Sequence, residues 1–537
     1  MKIVLLCLAY LFLLVTCITE HNNYSEKDIC PLWHIESKNG ECVCGASYYN
    51  TVTCDNHYVH LLRGNCITWS NSTNSAVFHA CLYSFLWDTS RDTYRIPNNV
   101  SGTKVNDITC KDYNRKGDQC SECIDGYGPA LFSYGITCTD CSKYRHCWSL
   151  NLLFQIAMVC LMYLIFTLLQ INLTSSPLNL IVMYVQVFVL LFKVDGNIYF
   201  EAVYMIGRLP MKILFIVLAI TNLDFFHMVL PALCISTRMK ATDVILFDYV
   251  IAIVPLLLTM LVFLCIELYD RNCKLIVLLS YPVRCLTSFR SNWNPRKTIL
   301  TTFTSFFLLS YSKFMFVSIK LLLAFYSYNS KGKLIADSAK LLLDPAVRPF
   351  HSEHIAYAVL AFSALFIFVL LPTLFLLLYP TRYFKRFLSS LRLHRWDVLN
   401  QFMDIFQGWY KDGTNGTRDY RYCSALYLLL RLGVFCEIVV LFLVNYDWKH
   451  MLTLKYPCTG MAHVLLGVLL YTIQPYKINW MNQVDGLILT AAGVVWLLLP
   501  FKSKGVCILA LAFGLLGVTF FGTYHKIYKW TKRCSYK

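Results

Sequence analysis

From about residue 150 onward the chain is one long apolar run after another, and such runs have few stable environments. A helix crosses the hydrocarbon core of a bilayer with about 20 consecutive apolar residues. Inside lipid its backbone must be satisfied internally, which favours the helix. The runs fall at 151–171, 178–194, 246–267, 299–322, 355–379, 423–443, 458–475, 482–499 and 505–524. Only 15% of the residues are charged, against about 25% in soluble domains. The expected fold class is an α-helical multi-pass membrane bundle of about nine helices, preceded by a small disulfide-rich extracellular domain.

The amino-terminal side belongs to a different solvent. Lys2 and the apolar stretch from Ile3 to Val15 read as a secretory signal, ending near residue 19. Behind it stand Cys30, Cys42, Cys44, Cys54, Cys66, Cys81, Cys110, Cys120, Cys123, Cys138, Cys141 and Cys147, an even set of twelve. An oxidising lumen converts such thiols to disulfides, each contributing about 2–4 kcal/mol in a domain with a thin core. The spacing of Cys120, Cys123, Cys138 and Cys141 also imitates a zinc site, but zinc needs reduced thiolates. Sequons at Asn23, Asn71 and Asn99 lie in the same segment and are candidate glycosylation sites.

Charge in the loops sets the expected orientation. Basic clusters occupy 268–298, 380–422 and the tail 526–537. With the amino end outside and an odd number of crossings, all of them face the cytoplasm, as the positive-inside rule asks. A tenth apolar candidate, Lys212 to Leu233, is interrupted by Asn222 and Asp224 and reads as an outer, partly buried or re-entrant segment. Cys234 and Cys458 then share the outer face and are candidates to bond each other, while the sequons at Asn172 and Asn415 fall inside and stay bare. The net charge of +17 resides in loops between apolar runs, so the expected partner is the lipid bilayer and not nucleic acid.

Three charges fall well inside the apolar runs, Lys313, Arg431 and Glu437, with Lys320 seven residues on from Lys313 on the same helix face. Ionisable groups at membrane depth mark a functional site or a structural pair. A Lys313–Glu437 contact lining a polar pathway is one expectation, and a static structural ion pair the other. Residues 382–410 carry two amphipathic stripes, Phe384, Phe387, Leu388 and Leu391, then Leu399, Phe402, Phe406 and Trp409. They read as helices lying along the inner leaflet, as a cap packed under the bundle, or as a platform for a partner. The phosphate loop, the His-Glu-x-x-His pair, the Gly-x-Ser-x-Gly elbow and the potassium-selectivity run are absent from the sequence. No enzyme activity and no cofactor are expected.

Several segments carry a resemblance. Cys123-Ile124-Asp125-Gly126-Tyr127-Gly128-Pro129 is similar to the endings of EGF-like and laminin-type modules. The stretches Ser175–Val187, Asn222–Phe226, Leu268–Asn272, Leu309–Lys313 and Phe406–Thr414 resemble invertebrate multi-pass proteins with cysteine-rich ectodomains. The order of parts is distantly similar to transient-receptor-potential-like membrane proteins. The first likeness implies the architecture and brings no activity with it; the second brings no pore motif.

The expected organisation is a signal peptide at 1–19, a cysteine-rich extracellular domain at 20–148, a transmembrane domain at 149–525 and a basic cytoplasmic tail at 526–537. The expected protein is receptor-like, in the plasma membrane, with its amino end outside and an extracellular protein or glycan as ligand. The alternative is a channel or transporter of the transient-receptor-potential-like kind. Nine crossings do not match the seven of G-protein-coupled receptors.

Overall fold

The structure is a computed structural model describing residues 114–116, 122–131, 138–144, 148–174, 178–186, 239–271, 294–322, 347–390, 397–414, 417–444 and 449–498, with short strands and single positions elsewhere. It is mostly helical. Among the described residues three helical stretches, Thr242–Asp270, Arg296–Leu322 and Ser352–Leu378, are long and apolar enough to cross a membrane. Shorter apolar helices occupy Ile156–Leu169, Cys423–Cys436 and Gly460–Ile473. The run expected at 505–524, the signal segment and the sequons at Asn23, Asn71, Asn99 and Asn415 lie outside the described residues.

The cysteine-rich segment forms short antiparallel pairs. Strand β1 (His34–Glu36) pairs with β2 (Cys42–Cys44), and β3 (Val52–Cys54) with β4 (Tyr58–Leu62). Strand β5 (Asn65–Ser70) forms a hairpin with β6 (Ser75–Ala80), while β7 (Thr93–Pro97) adds to β4. Then β8 (Arg115–Lys116) meets β9 (Glu122–Cys123), and β10 (Tyr127–Leu131) meets β11 (Cys138–Asp140). Gly126 takes a φ of +88° at the turn between β9 and β10, a conformation glycine adopts without steric cost. A Cys123–Cys138 disulfide, with Cα atoms 5.6 Å apart, closes this unit. Cys141 is disulfide-bonded as well, so these cysteines form bridges and not the zinc set their spacing imitates. The side chains of the other cysteines named above lie outside the described residues.

Two loops from the helical part add strands to these sheets. Strand β12 (Leu233–Cys234) pairs with β10, placing Ala130 opposite Cys234 and Leu131 opposite Leu233. Strand β13 (Ala324–Phe325) is followed by β14 (Tyr328–Asn329), which pairs with β6, and by β15 (Lys340–Leu341), which returns to β13.

After the short α1 (Cys141–Tyr144) come α2 (Trp148–Leu169), a helical turn at 178–186, α3 (Ala241–Asp270) and α4 (Pro295–Leu322). Helix α5 (Ser352–Ala364) runs through a π-helical turn at Leu365–Leu370 into α6 (Leu371–Leu378). Then follow α7 (Arg382–Ser390), α8 (Asp397–Gln407), α9 (Cys423–Val444), α10 (Lys449–Ile473) and α11 (Asn479–Leu498). Helix α10 starts nine residues ahead of the expected 458, because Pro457 sits inside it instead of limiting it.

Contacts between helix ends fix how they alternate. On the side of the cysteine-rich sheets, Lys240 bridges Glu353 at 2.7 Å, Tyr357 donates to Asp243, and His354 Nε2 lies 2.9 Å from the Leu321 carbonyl. At the opposite end Gln170 donates to Thr298 at 3.0 Å, Arg296 bridges Asp270 at 2.6 Å, and Thr174 donates to the Ile405 carbonyl at 2.9 Å. Helices α2, α3, α4 and α5–α6 therefore run alternately from one end to the other.

The amphipathic stretch divides in two. Phe402 and Phe406 of α8 pack on Phe303 and Phe307 of α4, at centroid distances of 6.0 and 6.1 Å, so α8 is a cap under the helices. Helix α7 buries Leu388 and leaves Tyr383 and Phe387 exposed. Helices α10 and α11 touch through glycines, where a Cβ on Gly493 would meet the Gly460 carbonyl oxygen at 2.6 Å.

Candidate functional site

Helix α4 is the hub, packed against α2, α3, α5, α8 and α9. Its sequence interleaves aromatic and aliphatic residues with Ser and Thr. Small hydroxyls allow close helix approach and can bond a neighbour's backbone. They do so here: Ser305 donates to the Ile171 carbonyl at 2.9 Å, Ser310 to that of Ala252 at 2.8 Å, and Ser318 meets the Tyr249 hydroxyl at 2.6 Å. The result is a polar seam along an otherwise apolar packing.

Three buried polar stations stand in the helical part, two on this seam and one beside α9. The first lies toward the cysteine-rich sheets. Lys313 Nζ of α4 is 2.9 Å from Asp248 Oδ1 of α3, with the lysine side chain 8% and the carboxylate 21% exposed. Phe314 next door stacks on Phe368 of the π-helical turn at 4.1 Å. Lys320 lies over the Phe316 ring at 4.2 Å, a cation–π contact.

The second station is Arg431 on α9, which is fully buried. Its guanidinium donates to the Leu308 carbonyl at 3.0 Å, Ser312 Oγ at 3.3 Å, the Asn179 carbonyl at 3.2 Å and Asn179 Oδ1 at 2.9 Å. Ser312 passes the network on to Gln186 Oε1 at 2.7 Å. All four acceptors are neutral, so among the described residues no carboxylate pairs with this cation. The side chain of Glu437 lies outside the described residues.

The third station is Asp485 on α11, fully buried about 9 Å from the start of its helix. Tyr427 of α9 and Tyr476 of the preceding loop donate hydroxyls to Asp485 Oδ2 at 2.8 and 2.6 Å. Tyr476 packs on Tyr410 with ring centroids 4.7 Å apart. The loop 409–412 is clamped to 475–477: Lys411 N donates to the Pro475 carbonyl at 2.9 Å, Lys477 N to the Trp409 carbonyl at 3.0 Å, and Lys477 bridges Asp412 at 3.1 Å. Gly413 turns the chain with a φ of +85°. These contacts give the Phe406–Thr414 stretch its local role.

Of the three charges visible in the sequence, Lys313 and Arg431 both touch this polar seam, at neighbouring positions 312 and 313 of α4. Asp248 and Asp485 did not stand out in the sequence, since each lies near the edge of an apolar run. Among the described residues no group of three His, Cys, Asp or Glu side chains is placed to hold a metal ion. Cysteines outside any disulfide are described at Cys160, Cys265, Cys423 and Cys436, all in the helical part. Compared with protein-family models, curated proteins and solved structures, the chain matches none.

Proposed function

We propose that this chain is a receptor-like, multi-pass cell-surface protein of nine crossings, whose disulfide-rich domain binds an extracellular protein or glycan. The observation that carries the reading is the pairing of β12 with β10. The strand that completes the disulfide-closed hairpin lies seven residues before α3, and α3 carries Asp248, the partner of Lys313. A shift of the hairpin on ligand binding is thereby delivered to a buried ion pair. Strand β14 gives a second connection, leading back to the end of α4.

The orientation is the plasma-membrane one with the amino end outside and the carboxyl end in the cytoplasm. Support comes from the basic residues Arg296, Arg382, Lys385, Arg386 and Arg421, which belong to the end opposite the cysteine-rich sheets. The test is binding of candidate proteins and glycans to cells that display the full chain. Binding that disappears when residues 20–148 are removed, at equal surface expression, supports the reading. Binding that survives the removal contradicts it.

A channel or transporter of the transient-receptor-potential-like kind is the second reading, and Arg431 favours it. A buried guanidinium held by neutral acceptors is a fixed positive charge within the packing. Ion flux through liposomes containing the purified chain, abolished by Arg431→Gln with folding intact, would establish this reading in place of the first.

A further inference from the structure

We propose that Cys141 and Cys234 form a disulfide that staples the cysteine-rich hairpin to the strand entering α3. Cys141 is disulfide-bonded, and its neighbours Cys123 and Cys138 are already joined to each other. Cys141 opens α1 directly after β11, and α1 lies against β12, with Cα atoms of the two elements within 8 Å. A disulfide requires Cα atoms about 4.4–6.8 Å apart, and the cysteine that β12 supplies is Cys234. The register separates the two bridges. Cys138 stands opposite Pro129 on one side of β10, and Cys234 opposite Ala130 on the other. Adjacent residues of a strand take opposite faces, so the Cys234 position belongs to the face that the Cys123–Cys138 bridge does not use.

The bond forms by thiol–disulfide exchange with a disulfide-carrying oxidoreductase of the secretory lumen. Two thiols give up two protons and two electrons as the sulfur–sulfur bond forms, and the carrier's disulfide takes them up to become a dithiol. The staple deepens the receptor reading and rests on it for its purpose: a two-residue strand pairing becomes a covalent link between the hairpin and α3. It takes Cys234 away from the bond with Cys458 that topology alone suggested.

The test is a disulfide map of the full-length chain. Free thiols are blocked under denaturing conditions, the protein is digested without reduction, and linked peptides are sequenced by mass spectrometry. The expected result is a peptide pair containing Cys141 and Cys234 that separates on reduction. Cys141 linked to Cys147 or Cys120, or Cys234 linked to Cys458 or blocked as a free thiol, overturns the inference. In a second arm, Cys234→Ser exposes one additional blockable thiol that maps to Cys141, whereas Cys458→Ser exposes none there. If Cys234→Ser fails to accumulate, the map of the unaltered chain decides. Failure of the staple leaves ligand binding by residues 20–148 intact, so the two readings fail separately.

Discussion

Lys313 and Asp248 meet at 2.9 Å between α4 and α3, and each is the other's neutralising partner inside an apolar packing. Removing one member leaves a poorly solvated charge, a loss of about 3 kcal/mol by analogy with buried pairs, and less where the carboxylate keeps its 21% exposure. Lys313→Met and Asp248→Asn each lower the thermal midpoint of the detergent-solubilised chain. The double variant Lys313→Met with Asp248→Asn is destabilised by less than the sum of the two single ones.

Arg431 makes four hydrogen bonds from one planar fork. Lysine has the charge but not that geometry. Arg431→Lys therefore destabilises by about 2–4 kcal/mol, since several buried acceptors lose their donor. A thermal midpoint of the variant equal to that of the unaltered chain would exclude this role.

Tyr427 and Tyr476 both donate to Asp485 Oδ2. Each Tyr→Phe change removes one hydrogen bond to a buried carboxyl group, at about 1–3 kcal/mol. Because the two donors share one oxygen, the paired change is non-additive. Protease nicking of the 409–422 loop rises in both single variants, since Tyr476 also holds Tyr410.

Gly493 approaches Gly460 closely enough that a Cβ would meet the facing carbonyl oxygen at 2.6 Å and Val464 Cγ2 at 2.7 Å. Gly493→Ala pushes α10 and α11 apart and costs about 1–3 kcal/mol through overpacking. Gly433→Ala, where a Cβ meets nothing within 4 Å, is the control and does not destabilise, since alanine favours a helix interior by up to about 1 kcal/mol over glycine.

The clamp between the 409–412 and 475–477 loops has a defined pH dependence. The Thr414 hydroxyl, Lys477 and the Thr414 amide hold the Asp412 carboxyl well below the usual carboxylate range. A depressed folded value means that the contribution is present above the unfolded value of about 3.9 and is lost as pH falls through the folded one. Hydrogen-exchange protection at the Lys411 and Lys477 amides therefore holds steady from neutral pH down to about 4 and declines only below it. Asp412→Asn removes the acid-dependent step.

Much of the helical part was legible because the apolar runs have one solution in lipid. Thr242–Asp270, Arg296–Leu322 and Ser352–Leu378 fall where the runs at 246–267, 299–322 and 355–379 placed them. Lys313 and Arg431 stood out because charge is rare there. Asp248 and Asp485 escaped notice because they lie near run edges, where a carboxylate looks like a boundary, and their partners are at least nine residues away and mostly far more distant in sequence. Strands β12 and β14 could not be read at all. Each has two residues, too few for an alternating pattern, and each exists only because β10 and β6 offer an edge.

The most direct measurement is epitope accessibility at both ends of the chain in the same cells. One tag follows residue 20 and the other follows Lys537. The proposed arrangement predicts that the first stains on intact cells, and that the second stains only after permeabilisation. Staining of the carboxyl-terminal tag on intact cells would put the basic end outside and contradict an outer, ligand-binding cysteine-rich domain joined to an odd number of crossings.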